Sequence, residues 1–507
     1  MTASAWKDVF EAATRSLPGH VWGTGPGAVC ANRIAVVDCA TGRSATYREL
    51  YDLTRRIASW LSASGVGRAD RVVLSCPNGV DLIGAFHGIL LAGGTVLALD
   101  PRGGVREWRR SLRGHEVRSA ILTTSTLRGF GELTSEVGKV LTVDEPGSLD
   151  EGGGVAGDQP SGSDVAVLAA SSGTRGIPKQ VVLTHGNLAV NLAQIDLLHQ
   201  LTSEDVVLAV TPLWHIYGMQ MAMNRALRAR AKLVIAPTPV TPRNLVETIR
   251  CHGVTVPYLV PSILAELVRS EDVEDTDLAG MRLIFSGGAP LPAALAQNCT
   301  RRFGVAVVQG YGMTEAGCTH VTPDGDPGPP GAVGIALPGT ETRIVDLATG
   351  TDVIPGDEGE LRIRGPQVSS GYFGDPASSV ALTDSDGWLH TGDLARAHPR
   401  GHVTITGRHK RLIKYKGYQV SPEELESLLL EYPGVEDAVV VGHPDDIAGE
   451  LPKAYVVLRH PVDLDEIIAH VAGRVSPHNK LRLIEEVDSI PRNAMGKPRL
   501  RAQGKGV

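Results

Sequence analysis

Three apolar stretches in close succession set the strongest limit on how this chain can fold. Arg71-Val72-Val73-Leu74-Ser75 has the length and β-branched content of a buried strand. Asp81 to Ala92 carries the apolar content of a helix, and Gly94-Thr95-Val96-Leu97-Ala98-Leu99 reads as the next strand. A strand, a crossover helix and a second strand make the unit of a parallel sheet, so the first part of the chain is expected to be α/β. Gly84 to Leu99 is also the most apolar stretch of the chain, yet it holds His87 and three further glycines. It is too short and too broken by glycine to span a bilayer.

The 507 residues are too many for one small core, and the pattern changes along them. Glu145 to Asp164 is rich in Gly, Ser, Asp and Pro and reads as a loop or linker. Its Gly152 to Gly157 run matches G-x-G-x-x-G in form only, because no strand precedes it and no helix follows. A second series of strands and helices runs from Asp164 to about Val321. After the Pro/Gly-rich stretch Pro323 to Pro338 come short β-like segments at Thr342 to Asp346, Gly359 to Arg364 and His402 to Thr406. Beyond Gly407 an amphipathic helix, Pro422 to Leu430, precedes strands at Val435 to Gly442 and Lys453 to Leu458 and a helix at Leu464 to Val475. The expected architecture is a large N-terminal domain, 1–408, of α/β sheet subdomains with a small β-rich unit, followed by a small mobile α+β domain, 409–507.

Net charge is −7, so no broad basic surface is on offer to nucleic acid or to an anionic membrane. Six cysteines, none in C-x-x-C spacing, argue against a zinc or redox pair and for free thiols in a reducing cytoplasm. The N-terminal residues lack an uninterrupted apolar core and are not expected to act as a secretion signal.

A hydroxyl- and glycine-rich loop ending in lysine follows the strand-like Val165 to Ala170: Ser171-Ser172-Gly173-Thr174-Arg175-Gly176-Ile177-Pro178-Lys179. Glycines let backbone N–H groups approach phosphate oxygens, hydroxyls donate further bonds, and Lys179 can offset phosphate charge. Pro178 before the lysine and Gln180 after it exclude a Walker A loop. Alone, the loop reads as readily as a surface turn. Further along come Ser286-Gly287-Gly288-Ala289-Pro290-Leu291, Gln309-Gly310-Tyr311-Gly312-Met313-Thr314-Glu315 and Trp388-Leu389-His390-Thr391-Gly392-Asp393. Then follow Gly407 to Val420, with Arg408, Lys410, Lys414 and Gly417, and last Pro491-Arg492-Asn493-Ala494-Met495-Gly496-Lys497.

In that order and over nearly the whole chain, these motifs resemble the adenylate-forming superfamily of acyl- and aryl-CoA synthetases, beetle luciferases and peptide-synthetase adenylation domains. The resemblance implies ATP- and Mg²⁺-dependent activation of a small carboxylic acid to an acyl-adenylate, then transfer to CoA. Lys497 would bridge the carboxylate and the α-phosphate, Thr314 would bond the α-phosphate, and Glu315 would hold Mg²⁺. Asp393 would bind the ribose hydroxyls with Arg408 beside it. Gly287, Gly288, Ala289, Tyr311 and Gly312 would wall the nucleotide, and Ser171 to Lys179 would orient the β- and γ-phosphates. Lys410 matches the hinge between the domains, and Lys414 to Gly417 the segment brought in for thioester formation.

Pro212 to Met219 resembles the segment lining the acyl pocket of coumarate–CoA ligases, with His215 at its aromatic gate and Ile216 and Tyr217 behind. It holds no aspartate to pair an α-ammonium, which disfavours an ordinary amino acid. Tyr217, Gly288 and Gly310 suit a flat aryl or arylpropenoic acid; a medium- or long-chain fatty acid is the alternative. After Gly317 the relatives carry apolar residues where this chain has Cys318-Thr319-His320, so Cys318 and Thr319 imply a polar end to the pocket. Arg175 and Gln180 also depart from the pattern. Relatives that pass the acyl group to a carrier protein or an amine, or that activate nitrite for diazotisation, leave acceptors other than CoA open. A monomer or a homodimer is expected.

Overall fold

The structure, a computed structural model, describes residues 3–23, 25, 27, 30–149, 160–171, 179–416, 418–445, 447–492 and 498. Among them the strands form four sheets, of six, nine, four and five strands.

Arg71–Ser75 and Thr95–Ala98 pair in parallel with the helix Val80–Leu91 between them, as a crossover requires. Their sheet runs Lys139–Thr142, Val117–Leu122, Arg71–Ser75, Thr95–Ala98, Val165–Ser171, Lys179–Thr184. Only its last pair is antiparallel, with Ser171 opposite Lys179. The helix Val80–Leu91 is apolar nearly all round because it is covered nearly all round. Its glycines bring it close to the helix Tyr47–Ala63: a Cβ on Gly88 would sit 2.8 Å from Ile57 Cγ2 and 3.0 Å from the Thr54 carbonyl. No helix among the described residues is long and apolar enough to cross a membrane.

The second sheet holds Ile34–Asp38, Val206–Ala209, Lys232–Ile235, Val256–Leu259, Ile284–Ser286 and Val307–Met313 in parallel, with antiparallel partners at both edges. The Pro/Gly-rich stretch is not wholly loop: Ile335–Ala336 pairs with Gly317–Val321 and extends one edge. Side chains of the first two sheets, such as Val72, Leu74, Val207 and Leu233, share one core. The third sheet, Glu341–Val345, Glu358–Arg364, Leu389–Ala397 and Val403–Arg408, is an antiparallel meander.

Beyond it, Ile413–Tyr415, Tyr418–Val420, Val435–Asp445, Gly449–Leu458 and Leu483–Glu486 form the fourth sheet, covered by helices Pro422–Leu430 and Leu464–Ala472. This unit has its own core of Val420, Leu425, Leu429, Val440, Ala454, Ile467 and Val471. Ser421, the residue before Pro422, caps the first of those helices by accepting from Glu424 N. All six cysteines are free.

Two measurements check this packing. Gly88→Val should cost about 1–3 kcal/mol, because neither the Thr54 backbone nor Ile57 can withdraw without strain; denaturant unfolding reads it. The histidines His20 and His87 are pushed down to about 3, and His185 and His320 to about 4, chiefly by burial. Their stabilising contribution is full above the unfolded value near 6.5 and falls as pH drops from there toward 4 and 3, because the unfolded chain binds the protons that the folded one refuses. The melting temperature should fall through that window, each group adding a slope of up to about 1.4 kcal/mol per pH unit. His87→Gln should flatten the curve.

Candidate active site

In open α/β sheets ligands sit beyond the carboxyl ends of the strands. There the motif residues gather: Ser171 ends Val165–Ser171, Gly287 follows Ile284–Ser286, and Thr314 follows Val307–Met313.

At one end lies a buried carboxylate. Asp393 is 2% exposed. Its Oδ2 accepts from the Tyr311 hydroxyl at 2.6 Å and its Oδ1 from Arg408 Nε at 2.7 Å. Register brings this about, since Asp393 stands opposite Arg408 in the third sheet. Burial first, then the Asp393 charge, pushes the Tyr311 phenol well above its ordinary value, so it stays a donor. A carboxylate offers about four lone-pair sites, so two remain for vicinal hydroxyls of a ribose.

A second row of side chains runs from the edge of the first sheet, through the segment after Glu358–Arg364, to the turn after Val307–Met313 in the second. Glu315 is buried and its Oε1 accepts from the Tyr372 hydroxyl at 2.9 Å. Burial and the Glu315 charge push that phenol upward. Lys179 Nζ lies 4.7 Å from the centre of the Tyr372 ring and 3.4 Å from Asp375 Oδ2, and it donates to the Ser378 hydroxyl. Lys179 is thus held by an acid and an aromatic face at the mouth of the loop. Ser171 Oγ donates to the Lys179 carbonyl at 3.4 Å. Ser172, Gly173, Thr174, Arg175 and Gly176 lie outside the described residues. Gln180 points the other way: its Nε2 donates to the Ser111 carbonyl at 2.7 Å and its Oε1 meets His115 Nε2. That departure from the family pattern therefore ties the strand to the helix Val105–Leu112.

Around the segment expected to line the acid pocket, rings close on glycines. Asn78 clamps the segment before Tyr217, donating to the Thr211 carbonyl at 3.0 Å and accepting from Leu213 N at 2.8 Å. Tyr217 donates to the Leu259 carbonyl at 3.0 Å, and its ring occupies the space a Cβ on Gly287 would need, 2.8 Å away. Gly310 similarly yields to Phe285, whose Cζ would lie 2.5 Å from a Cβ there. Ile216 is buried; His215 Nδ1 accepts from Tyr217 N at 3.3 Å and its ring meets Trp214 edge-on. Gly288 and Ala289 are half-buried beside Gly287, Gly312 is exposed, and Thr314 is buried next to Glu315.

Cys318 and Thr319, expected at a polar end of the acid pocket, bond within the fold. The Thr319 hydroxyl lies 3.4 Å from the Tyr311 carbonyl and 3.0 Å from His320 Nδ1, and the residue is fully buried. The Cys318 thiol, pushed up to about 12 by burial, faces the Tyr311 and His320 carbonyls. Hydrogen bonding inside the strand pair uses these polar groups, and Asn191 pins the Cys318 backbone through both its N–H and its carbonyl.

At the turn into the small unit, Arg411 donates to Glu423 Oε1 at 2.6 Å and Glu426 Oε1 at 2.8 Å. Lys410 sits in the turn His409–Arg411. Lys414 N donates to Glu450 Oε2 at 2.8 Å, and Lys416 adopts φ +48°. Gly417 and Lys497 lie outside the described residues; Arg492, five residues before Lys497, is paired with Asp437 at 2.6 Å.

Tyr372, Asp375 and Ser378 were missed from sequence. They sit more than 190 residues from Lys179, in and just after a Gly-Tyr-Phe-Gly-Asp turn, and tertiary pairing with the strand Lys179–Thr184, such as that of Val181 with Tyr372, brings them in.

Comparison with known proteins follows the same outline. Residues 27–373 match the family model of the AMP-binding enzymes, and residues 424–497 match that of the AMP-binding enzyme C-terminal domain. The chain is 35% identical over 488 residues to 4-coumarate–CoA ligase 3 of Oryza sativa subsp. japonica, covering 92% of this chain and 88% of that protein. It is similar in structure to ATP-bound MatB from Rhodopseudomonas palustris, with TM-score 0.88 and 30% identity over 95% of this chain and 97% of that one. It is also similar to a benzoate CoA ligase from Burkholderia xenovorans LB400, with TM-score 0.84 and 27% identity over 96% and 98%. A family match over most of the chain, on a fold that brings Tyr311, Asp393 and Arg408 into one hydrogen-bonded group, makes this chain a member of the AMP-binding enzyme family: an adenylate-forming enzyme of the coumarate–CoA ligase-like kind.

Proposed function

We propose that this enzyme activates an aryl or arylpropenoic acid with ATP and passes the acyl group to CoA. The observation that carries the reading is the adjacency of two charged groups. Asp393 with Tyr311 and Arg408 suits a ribose, and Glu315 with Tyr372 and Lys179 suits a metal-bound polyphosphate. Two of the relatives named above carry 4-coumarate and benzoate in their names, and Tyr217 and Phe285 set aromatic rings against Gly287 and Gly310.

In the first half-reaction a carboxylate oxygen attacks the α-phosphorus, the bond to the bridging oxygen breaks, and pyrophosphate leaves. Two anions must meet, so the residues act mainly by charge and position. Asp393 holds the ribose, and Thr314 donates at the α-phosphate. Lys497 neutralises carboxylate and phosphate together. Lys179 with the loop from Ser171 aligns the β- and γ-phosphates. No cluster of three or more His, Cys, Asp or Glu side chains fit to hold a metal occurs among the described residues. Glu315 therefore suits Mg²⁺ shared with ATP, an ion that keeps few protein ligands and would offset phosphate charge. In the second half-reaction the CoA sulfur attacks the acyl carbon and AMP leaves. Turning of the unit 409–507 about Lys410 would bring Lys414 to Gly417 to the site.

Incubation with ATP, Mg²⁺ and a panel including 4-coumarate, benzoate and octanoate should release pyrophosphate with an aryl acid, and CoA should then yield a thioester. Release without any CoA-dependent turnover would replace CoA by another acceptor. No release with any acid would sink the reading. Lys497→Ala should lower adenylation by about 10²–10³-fold and leave ATP affinity within twofold. Asp393→Asn should raise the KM for ATP by about 10–100-fold, the equivalent of a lost charged hydrogen bond. Chelation of divalent metal should abolish pyrophosphate release, with recovery on adding Mg²⁺.

A further inference from the structure

Behind the acid end lies a buried chain of polar side chains to which the reaction above gives no role. Arg225 is the largest fully buried side chain among the described residues. Its Nε meets Asp196 Oδ1 at 3.0 Å, a carboxylate it shares with Arg228. Its second terminal nitrogen donates to the His199 carbonyl, and Nη1 donates to the Tyr258 hydroxyl at 2.5 Å. Tyr258 is itself fully buried, and its oxygen lies 3.4 Å from His199 Nε2. His199 Nδ1 lies 3.4 Å from Asp324 Oδ1, and Asp324 is half-exposed at the surface with Arg282 3.8 Å from its other oxygen.

One tautomer of His199 satisfies every group of this chain. A guanidinium only donates, so the Tyr258 oxygen accepts from Arg225, and its own proton is matched by an accepting His199 Nε2. Nε2 accepts only in the neutral ring with its proton on Nδ1, and that proton then points at Asp324. Burial favours the neutral ring. One direction of donation thus runs from Arg225 through Tyr258 and His199 to a surface carboxylate.

Tyr258 is where the chain meets the site. Its ring stands edge-on to Tyr217, centroids 6.4 Å apart, and tilted on Phe285 at 5.2 Å. The His199 ring lies 5.2 Å from Phe285 as well. Tyr217 and Phe285 are the two rings that close on Gly287 and Gly310. We propose that Arg225, Tyr258, His199 and Asp324 form a positioning relay that fixes the Tyr217 and Phe285 rings and so sets which ring-bearing acids the pocket admits. The inference rests on reading that pocket as an aryl-acid site. None of the four is a catalytic residue; they act through the two rings.

The relay is testable because it carries a titratable group in its middle. Facing His199 are Asp324 and Arg282 from the surface side, with Asp205 behind Arg282, and Arg225, Asp196, Arg228 and Tyr258 from within. Below its lowered titration point, under pH 6.5, a doubly protonated ring can no longer accept from Tyr258. With 4-coumarate as the probe, the wild-type KM for the acid should rise below that pH while the KM for ATP does not.

Tyr258→Phe keeps the ring and removes the link. It should raise the KM for 4-coumarate about 5–20-fold at neutral pH, within the range of a lost hydrogen bond to a charged partner. It should also leave the KM for ATP within twofold and abolish the pH dependence of the acid KM. Asp324→Asn, at the exposed end, should fold normally, raise the acid KM about 2–5-fold and shift its pH dependence. A lower melting temperature with an unchanged ratio of acid KM to ATP KM in both variants would overturn the relay and leave only a structural role. Should Tyr258→Phe fail to fold, the pH profile of Asp324→Asn decides alone.

If the wild-type enzyme releases no pyrophosphate with any acid, the aryl-acid reading fails by itself. The relay is then judged by crystal structures of wild type and Asp324→Asn at pH 7.5 and 5.5. Displacement of the Tyr217 ring from Gly287 in the wild type at pH 5.5 or in the variant supports it; identical ring positions refute it.

Discussion

A carboxylate almost wholly withdrawn from water, Asp393, is tolerable only where donors replace the water it has lost, and leaving it unpaired would cost several kcal/mol. Tyr311 and Arg408 supply those donors, and they come from different parts of the fold. Tyr311 belongs to the nine-stranded sheet and Arg408 to the last strand of the four-stranded one. The bonds therefore seam two sheets whose cores are separate. The group proposed to hold the ribose and the exit of the chain into the small unit are positioned by the same carboxylate. A ribose bound there would add to a preorganised group rather than assemble one, so little ordering is left to oppose binding.

The second row works by the same logic with different partners. Tyr372 lies between Glu315 and Lys179 and interacts with each in a different way: its hydroxyl donates to the carboxylate and its ring face receives the ammonium. Acid and base are kept apart by a ring, an arrangement that suits the polyphosphate proposed to bind there. Lys179 is nevertheless shared with Asp375 and Ser378. An incoming phosphate must compete with those two acceptors, which favours a ligand carrying several charges over a single weak anion.

Local periodicity and ordered motifs carried much of this into view. The helix Pro422–Leu430 was readable because a cap, a proline and two acids precede a leucine face, all within ten residues. The parallel pair Arg71–Ser75 and Thr95–Ala98 was readable because the crossover helix lies between them in sequence. Contacts that span the chain left no such trace. Tyr372 reaches Lys179 only through tertiary pairing, and the link between Arg225 and Tyr258 joins residues whose sequence neighbours are ordinary core. The bonding of Cys318 and Thr319 was likewise invisible in sequence. Their chemistry reads as polar in sequence, and the strand pair supplies acceptors for it in the Tyr311 and His320 carbonyls.

The turn between the large and small units is bounded by two arginines anchored in opposite directions. Arg408 is held back into the large unit by Asp393, and Arg411 is held forward into the small one by Glu423 and Glu426. Burial pushes the Glu426 carboxyl upward and the Arg411 charge opposes that, so the forward anchor is a partly buried pair, costly to break by removing one partner. His409 and Lys410 are the two residues left between the anchors. Among the described residues a further bond crosses this turn near its base, from the Ser421 hydroxyl to the Thr406 carbonyl at 3.1 Å, beside Gly407, where a Cβ would lie 2.9 Å from that hydroxyl oxygen. A rotation of the small unit about Lys410 would thus leave both ion-paired anchors intact. Its local cost at the turn would be one neutral hydrogen bond, net about 0.5–1.5 kcal/mol, small enough for a bound adenylate or CoA to tip the balance.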